Sequence, residues 1–272
     1  LAEAGRVARE LVVQLAPVFC RVESLAYHRD VNCHNVLIDA GDLTRPHFSL
    51  VDFGLAAVAD KWRGPIGPSS WHYVDIGGDC RYWPASAWLQ FERGWEDVAQ
   101  HPALAAEYQT RLDYHALGLV ALQVFAALCL VGAEEEGGGG LMQDLPTGVL
   151  ALLVAWKEYW EEAERWWTRL LECFRAGGDQ DALKVACFSE GAHLAVGRCL
   201  ARLQAALSEA RDDLPPEGHG APGPGNSVAR SLFTAVLMLV SVAGVGERAA
   251  SPLPTWKDVI EVMAATTSGA HS

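Results

Sequence analysis

Positive charge is scarce in this chain: 21 Lys and Arg stand against 34 Asp and Glu, giving a net charge of −13 and a pI near 5.1. A nucleic-acid footprint needs clustered cations, so that class of partner is excluded, and a protein or a metal-bound nucleotide is expected instead. The seven cysteines, at positions 20, 33, 80, 129, 173, 187 and 199, form no C-x-x-C pair. They sit mostly in apolar or helical stretches and read as buried, reduced thiols of a cytoplasmic protein rather than a metal cluster or a disulfide framework. The most membrane-like run, Leu232 to Val245, contains Thr234 and Ser241 and is shorter than the roughly 20 residues a spanning helix needs, so a buried helix is expected and no membrane span. There is no internal repeat, which excludes a solenoid. The first residues read as helix rather than as a basic, cleavable leader and begin at Leu1, so the sequence is taken as a fragment.

Half of the composition is apolar, enough over 272 residues for one substantial core. From Ala2 to Arg21 the residues Val7, Leu11, Leu15, Val18 and Val22 recur at helical spacing, with Pro17 expected to kink the later part. Val36 to Asp39 and His47 to Val51, joined by an Asp-, Gly- and Pro-rich turn, predict a β-hairpin. Residues 54 to 90 are dense in Gly, Pro, Ser and Trp with no sustained period, and read as a long functional loop. Leu112 to Val131 is apolar on nearly every side, the mark of a helix in the middle of a core. Glu134 to Gly140 reads as a surface loop and Pro215 to Gly225 as a linker. Helices are expected around Trp156, Trp160 and Trp167, from about Ala182 to Ala210, and from Trp256 to Ala265. The fold class is therefore mainly α with a small β-hairpin.

The chemistry is concentrated in His28-Arg29-Asp30-Val31-Asn32-Cys33-His34-Asn35 and in Asp52-Phe53-Gly54. Phosphoryl transfer needs a carboxylate to orient the attacking hydroxyl and further oxygen ligands to hold magnesium against the phosphates. Asp30 and Asn35 lie at the two ends of one short loop, and the hairpin returns the chain to present Asp52 opposite them.

This pair of motifs, H-R-D-x-x-x-x-N followed by D-F-G, resembles the eukaryotic protein kinase domain, and specifically its C-terminal large lobe, closest to the tyrosine-kinase-like Ser/Thr kinases. Gly78-Asp79-Cys80-Arg81-Tyr82-Trp83-Pro84-Ala85-Ser86 is similar to the end of a kinase activation segment, and Asp113-Tyr114-His115-Ala116-Leu117-Gly118 to the start of the central helix. Pro254-Thr255-Trp256-Lys257-Asp258-Val259 resembles the stretch that opens the last helix. The resemblance implies Asp30 as catalytic base, Asn35 and Asp52 as ligands of Mg2+ (or Mn2+), and Leu37 and Val51 lining the nucleotide pocket for ATP. It implies that Asp113 holds the backbone of the His28-Arg29 turn, that His28 stacks on Phe53, and that Arg29 receives a phosphate from the activation segment, with Ser69, Ser70 and Tyr73 as acceptors. In these terms residues 1–133 form the core of the lobe, 134–226 a divergent helical region, 227–268 the terminal helices and 269–272 a tail.

The chain also departs from the family. No glycine-rich turn, strand lysine or helix glutamate of a small lobe precedes the catalytic loop, so the lobe by itself is expected not to turn over. Asn32 stands where a lysine is usual, which removes a cation from a site of developing negative charge. Asp79 replaces a threonine and brings a second carboxylate toward Asp30, which should raise the pKa of one of the pair or draw in a cation. Ser86 and Leu253 replace an ion-paired glutamate and arginine together, which avoids leaving one buried charge alone; an apolar contact is expected in place of the pair. The leading reading is an ATP-dependent protein kinase acting on a protein hydroxyl, Ser/Thr before Tyr. A pseudokinase or scaffold is the alternative, and a small-molecule kinase of the aminoglycoside or choline type a third. The tryptophans of the helix carrying Trp156, Trp160, Trp166 and Trp167 serve either as packing or as a partner's docking groove.

Overall fold

The computed structural model describes residues 1–39, 41, 45–64, 70–74, 76–135, 145–177, 191–214, 224–241 and 253–265. In chain order the elements are α1 (Ala2–Val22), β1 (Ala26–Tyr27), β2 (Val36–Asp39), β3 (His47–Leu50), β4 (Ala57–Val58), α2 (Ala59–Arg63), single 3-10 turns at Ser70–His72 and Cys80–Tyr82, α3 (Ala85–Arg93), α4 (Trp95–Ala99), α5 (Pro102–Thr110), α6 (Leu112–Glu135), α7 (Thr147–Arg175), α8 (Ala192–Asp213), α9 (Pro224–Val240) and α10 (Trp256–Ala265). The architecture is mainly helical, with two two-stranded antiparallel sheets among the described residues.

Helix α1 forms because Ala4, Ala8, Leu11, Val12, Leu15, Ala16 and Phe19 fall on one stripe, and all of them are buried. That stripe packs on α6, α9 and α10. Helix α6 is the centre of the molecule: Leu117, Leu119, Val120, Ala121, Leu122 and Phe125 are buried around its circumference. Its stretch Leu112–Val131 is long and apolar enough to cross a membrane, and 67% of it is buried against the protein's own helices. Gly118 permits the closest approach there, because a Cβ at that position would lie 2.7 Å from Val240 Cγ1.

Helix α10 is tied in by Trp256, whose ring stacks on Phe19 at 5.0 Å and on Tyr114 at 3.7 Å. A fully buried aromatic sandwich of this kind stabilises by about 2–3 kcal/mol. Helices α7 and α8 pair along their length, and α8 also covers α3. Its first turn is anchored by the buried Glu92 of α3, which accepts from the His193 N–H at 2.8 Å.

The hairpin pairs Val36 with Leu50 through Asp39 with His47, one residue short of the expected end at Val51. The expected loop over 54–90 is instead broken by β4, α2, two 3-10 turns and the start of α3, and α4 and α5 follow it directly. These short elements are fixed by tertiary burial of Trp62, Trp71 and Trp88 rather than by a local period. Helix α8 starts at Ala192, ten residues later than expected, and residues 178–190 lie outside the described set, as do residues 136–144 and 215–223. The stretch read as a linker ends earlier than Gly225, since α9 already begins at Pro224.

Candidate active site

The turn His28–Arg29 leaves β1 and enters the loop that carries Asp30, Asn32 and Asn35. The Asp113 carboxylate, at the head of α6, accepts the His28 N–H at 2.8 Å and the Arg29 N–H at 2.7 Å. Asp113 is buried, and burial pushes its carboxyl above the usual range against the opposing pull of these two N–H groups. Arg29 has φ of +67° and Asp52 +60°, a left-handed conformation that costs a non-glycine residue roughly 1 kcal/mol or more. Both of the positive-φ non-glycine residues among those described thus stand at this site.

Asp30 and Asn35 meet directly. The Asn35 amide donates to Asp30 Oδ2 at 3.0 Å and to the Asp30 carbonyl at 2.9 Å. With its NH2 turned toward Asp30, the Asn35 amide oxygen accepts from no donor among the described residues and remains available to a cation. The Asn35 carbonyl accepts the Val51 N–H at 2.9 Å, which sets Asp52 on the adjoining residue. Asp52 is exposed, and its Oδ1 accepts the Gly54 N–H at 3.1 Å. Two hard oxygen donors, one amide and one carboxylate, therefore stand on neighbouring segments, a donor set that suits Mg2+ or Mn2+.

His28 connects the two loops. Its Nδ1 accepts the Asp30 N–H at 3.3 Å, which leaves Nε2 to donate to the Val51 carbonyl at 3.1 Å. Its ring meets Phe53 edge to face at 4.7 Å. Leu37 and Phe53 are each about half exposed, 52% and 51%, and Val51 is half-buried, so the surface on which adenine was expected is open.

Asn32 donates to Asp30 Oδ1 at 2.8 Å and accepts from the His34 and Asn35 N–H groups at 2.9 and 3.2 Å. It closes the loop on itself rather than presenting a cation. The Asp79 N–H donates to the same Asp30 Oδ1 at 3.1 Å. This approach requires Gly78, which has φ of +88° and where a Cβ would lie 2.7 Å from Asp30 Oδ1. The cation that the second carboxylate was expected to draw in is Arg81: its Nε and Nη2 clasp the Asp79 carboxylate at 2.9 and 2.6 Å, and its Nη1 reaches Glu164 at 2.8 Å. These carboxylates raise the Arg81 pKa above its ordinary value. Its guanidinium also lies 5.3 Å from the ring centroids of both Trp160 and Trp167. The tryptophans of α7 are thus turned inward, Trp156 and Trp166 buried and the other two packed against the core.

Polar contacts help to hold the stretch around Ser86. The Ser86 N–H donates to the carboxylate of Glu107 on α5 at 3.1 Å. Arg111, one helical turn on, donates to the carbonyls of Met238 and of Pro254, the neighbour of Leu253. Glu107 and Arg111 attract one another in the buried space between Ser86 and Pro254, and burial raises the Glu107 pKa. This polar link joins the two segments for which an apolar contact was expected.

Of the proposed phosphate acceptors, Ser70 opens a 3-10 turn, Tyr73 is 66% exposed, and Ser69 lies outside the described residues. Arg29, their expected receiver, is half-buried against the Trp62 ring, and burial lowers its pKa from the ordinary value. Cys33 is exposed on the loop from Asp30 to Asn35, unlike the buried thiols Cys80, Cys129 and Cys199. Arg81 and Arg111 have local partners in Asp79 and Glu107, but their bonds to Glu164 and Pro254, 83 and 143 positions away, carried no signal in the sequence. No family model matches the chain, and neither does any curated protein or solved structure.

Proposed function

We propose that this chain carries the phosphoryl-transfer half of a protein kinase, in which Asp30 accepts the proton of an attacking protein hydroxyl as that oxygen bonds to the terminal phosphorus of ATP and ADP leaves. The observation that carries the reading is the loop geometry: Asp30 and Asn35 in direct contact, the turn before them pinned by Asp113, and Asp52 set alongside through Val51. Asn35 and Asp52 would hold a divalent cation, which supplies neutralisation of charge on the phosphate oxygens. Arg29 positions the segment that follows Asp52, through its bond to the Leu55 carbonyl at 3.3 Å.

The test is transfer of labelled phosphate from ATP, measured on the chain within its full-length polypeptide. Asp30→Asn and Asp52→Ala are both expected to abolish transfer; transfer unaffected by Asp52→Ala would refute the metal assignment. One specific observation favours a scaffold without turnover. Both oxygens of Asp30 are already engaged, by Asn32, Asn35 and Asp79, and no cation stands at position 32. A wild-type protein that binds Mn2+ and nucleotide yet transfers no phosphate would select that second reading.

A further inference from the structure

Arg29, the residue before the candidate base, rests on an aromatic ring. Its Cζ lies 4.6 Å from the centroid of the Trp62 ring. Trp62 is fully buried; its Nε1–H donates to the Gln109 carbonyl at 3.1 Å and its ring meets that of Tyr108 at 5.6 Å. The indole is therefore held at its edge by α5 and turns a face to the guanidinium.

The chain on either side is tied to the same place. β4 pairs with β1, so that Ala57 lies opposite Tyr27, and the Ala59 N–H donates to the Leu25 carbonyl at 2.9 Å. Beyond Trp62, the Arg63 guanidinium lies 5.3 Å from the Tyr27 ring centroid. The stretch between Leu55 and Arg63 is thus fixed to the entry of the catalytic loop by a strand pair and two cation–aromatic contacts. A planar guanidinium suits this role, since it stacks on indole while its edge N–H groups still reach a carbonyl.

We propose that Trp62 is a positioning residue that docks the segment from Leu55 to Arg63 onto Arg29 without a phosphate, so that the loop bearing Asp30 is ordered constitutively. The inference deepens the phosphoryl-transfer reading and rests on it for the role of Asp30. Docking and chemistry are nevertheless separable by experiment.

Hydrogen exchange of the Arg29 and Asp30 amides and of residues 55–63 is compared in the wild-type chain before and after phosphatase treatment, and in Trp62→Leu, Trp62→Phe and Arg29→Gln. Phosphatase should leave the wild-type pattern unchanged. Trp62→Leu and Arg29→Gln should each speed exchange at these amides on the order of tenfold, with α6 amides unaffected, while Trp62→Phe should retain most of the protection. Should Trp62→Leu also release α6, the contrast between Trp62→Phe and Arg29→Gln decides. Loosening of the wild type by phosphatase, or exchange in Arg29→Gln equal to wild type, would overturn the proposal. Absence of phosphate transfer with this exchange pattern intact would overturn the reaction and leave the docking in place.

Discussion

Asp113 accepts the N–H of Arg29 at 2.7 Å from 84 positions away, and its other oxygen takes the N–H of His28. A carboxylate is the side chain that can accept both at once without presenting a donor to either. Asp113→Asn keeps the shape but turns an NH2 toward one of the two buried N–H groups, leaving it unpaired at a cost of about 1–3 kcal/mol. Denaturant unfolding should register that loss, with faster amide exchange at His28 or Arg29. An Asn variant as stable as wild type would mean that the turn is held by other contacts.

Arg81 and Asp79 form a clasp whose side chains are only 14% and 8% exposed. Removing the cation alone, in Arg81→Met, leaves a nearly buried carboxylate beside Asp30 and is expected to destabilise by about 3 kcal/mol. Adding Asp79→Asn removes the stranded charge and should recover a large part of the loss. The double-mutant cycle, read by denaturant midpoint, measures the coupling; additive single effects would show that the clasp contributes nothing as a pair.

The same logic separates Glu107 from Arg111. Arg111 satisfies the carbonyls of Met238 and Pro254, and Glu107 satisfies the Ser86 N–H. Burial opposes the charged form of Glu107 and raises its pKa, and Glu107→Gln keeps the shape and an acceptor oxygen for the Ser86 N–H, so it is expected to cost less than about 1 kcal/mol. Arg111→Met strips the part-buried Met238 and Pro254 carbonyls of their donor, at about 3 kcal/mol. Equal losses in the two variants, measured by thermal or urea unfolding, would contradict the assignment.

Much of this arrangement was legible in the sequence where contacts are local. The loop from His28 to Asn35 spans eight residues, and the hairpin that returns Asp52 is a single short excursion, so spacing alone brings those groups together. The stripe of α1 and the all-round apolar character of α6 likewise follow from period and composition. Helix α3 did not announce itself, because Pro84 and the density of Trp around it mask a nine-residue helix that exists by burying Trp88 against Trp166 of α7 and by packing on α8. Glu164 and Trp62 were illegible for a different reason: each acts on a residue of the candidate site through a side chain delivered by a separate element, and no spacing rule connects them. That Ser86 and Leu253 cannot form an ion pair was visible, while the polar link through Glu107 and Arg111 needed the packing of α5 against α3 and the start of α6.

His115, one turn after Arg111 on α6, is buried, and burial together with the nearby Arg111 charge pulls its pKa down from 6.5 to about 3. The folded protein therefore keeps this ring neutral, whereas the unfolded chain takes up a proton once the pH falls below 6.5. Between pH 6.5 and 3 the unfolded state binds more protons at this position, so stability falls as the pH is lowered, by up to about 1.4 kcal/mol per pH unit from this group alone. Above 6.5 both states are neutral and the contribution is flat. Replacing the ring by an apolar side chain, His115→Leu, removes the titration, so the difference in unfolding free energy between variant and wild type should widen in the variant's favour from pH 7 to pH 5. Raised carboxyl pKa values at Glu107 and Asp113 act with the opposite sign but are common to both proteins, and they cancel in that difference. A gap that stays constant between pH 7 and pH 5 would place a proton on His115 in the folded state and would require a partner for it inside the core.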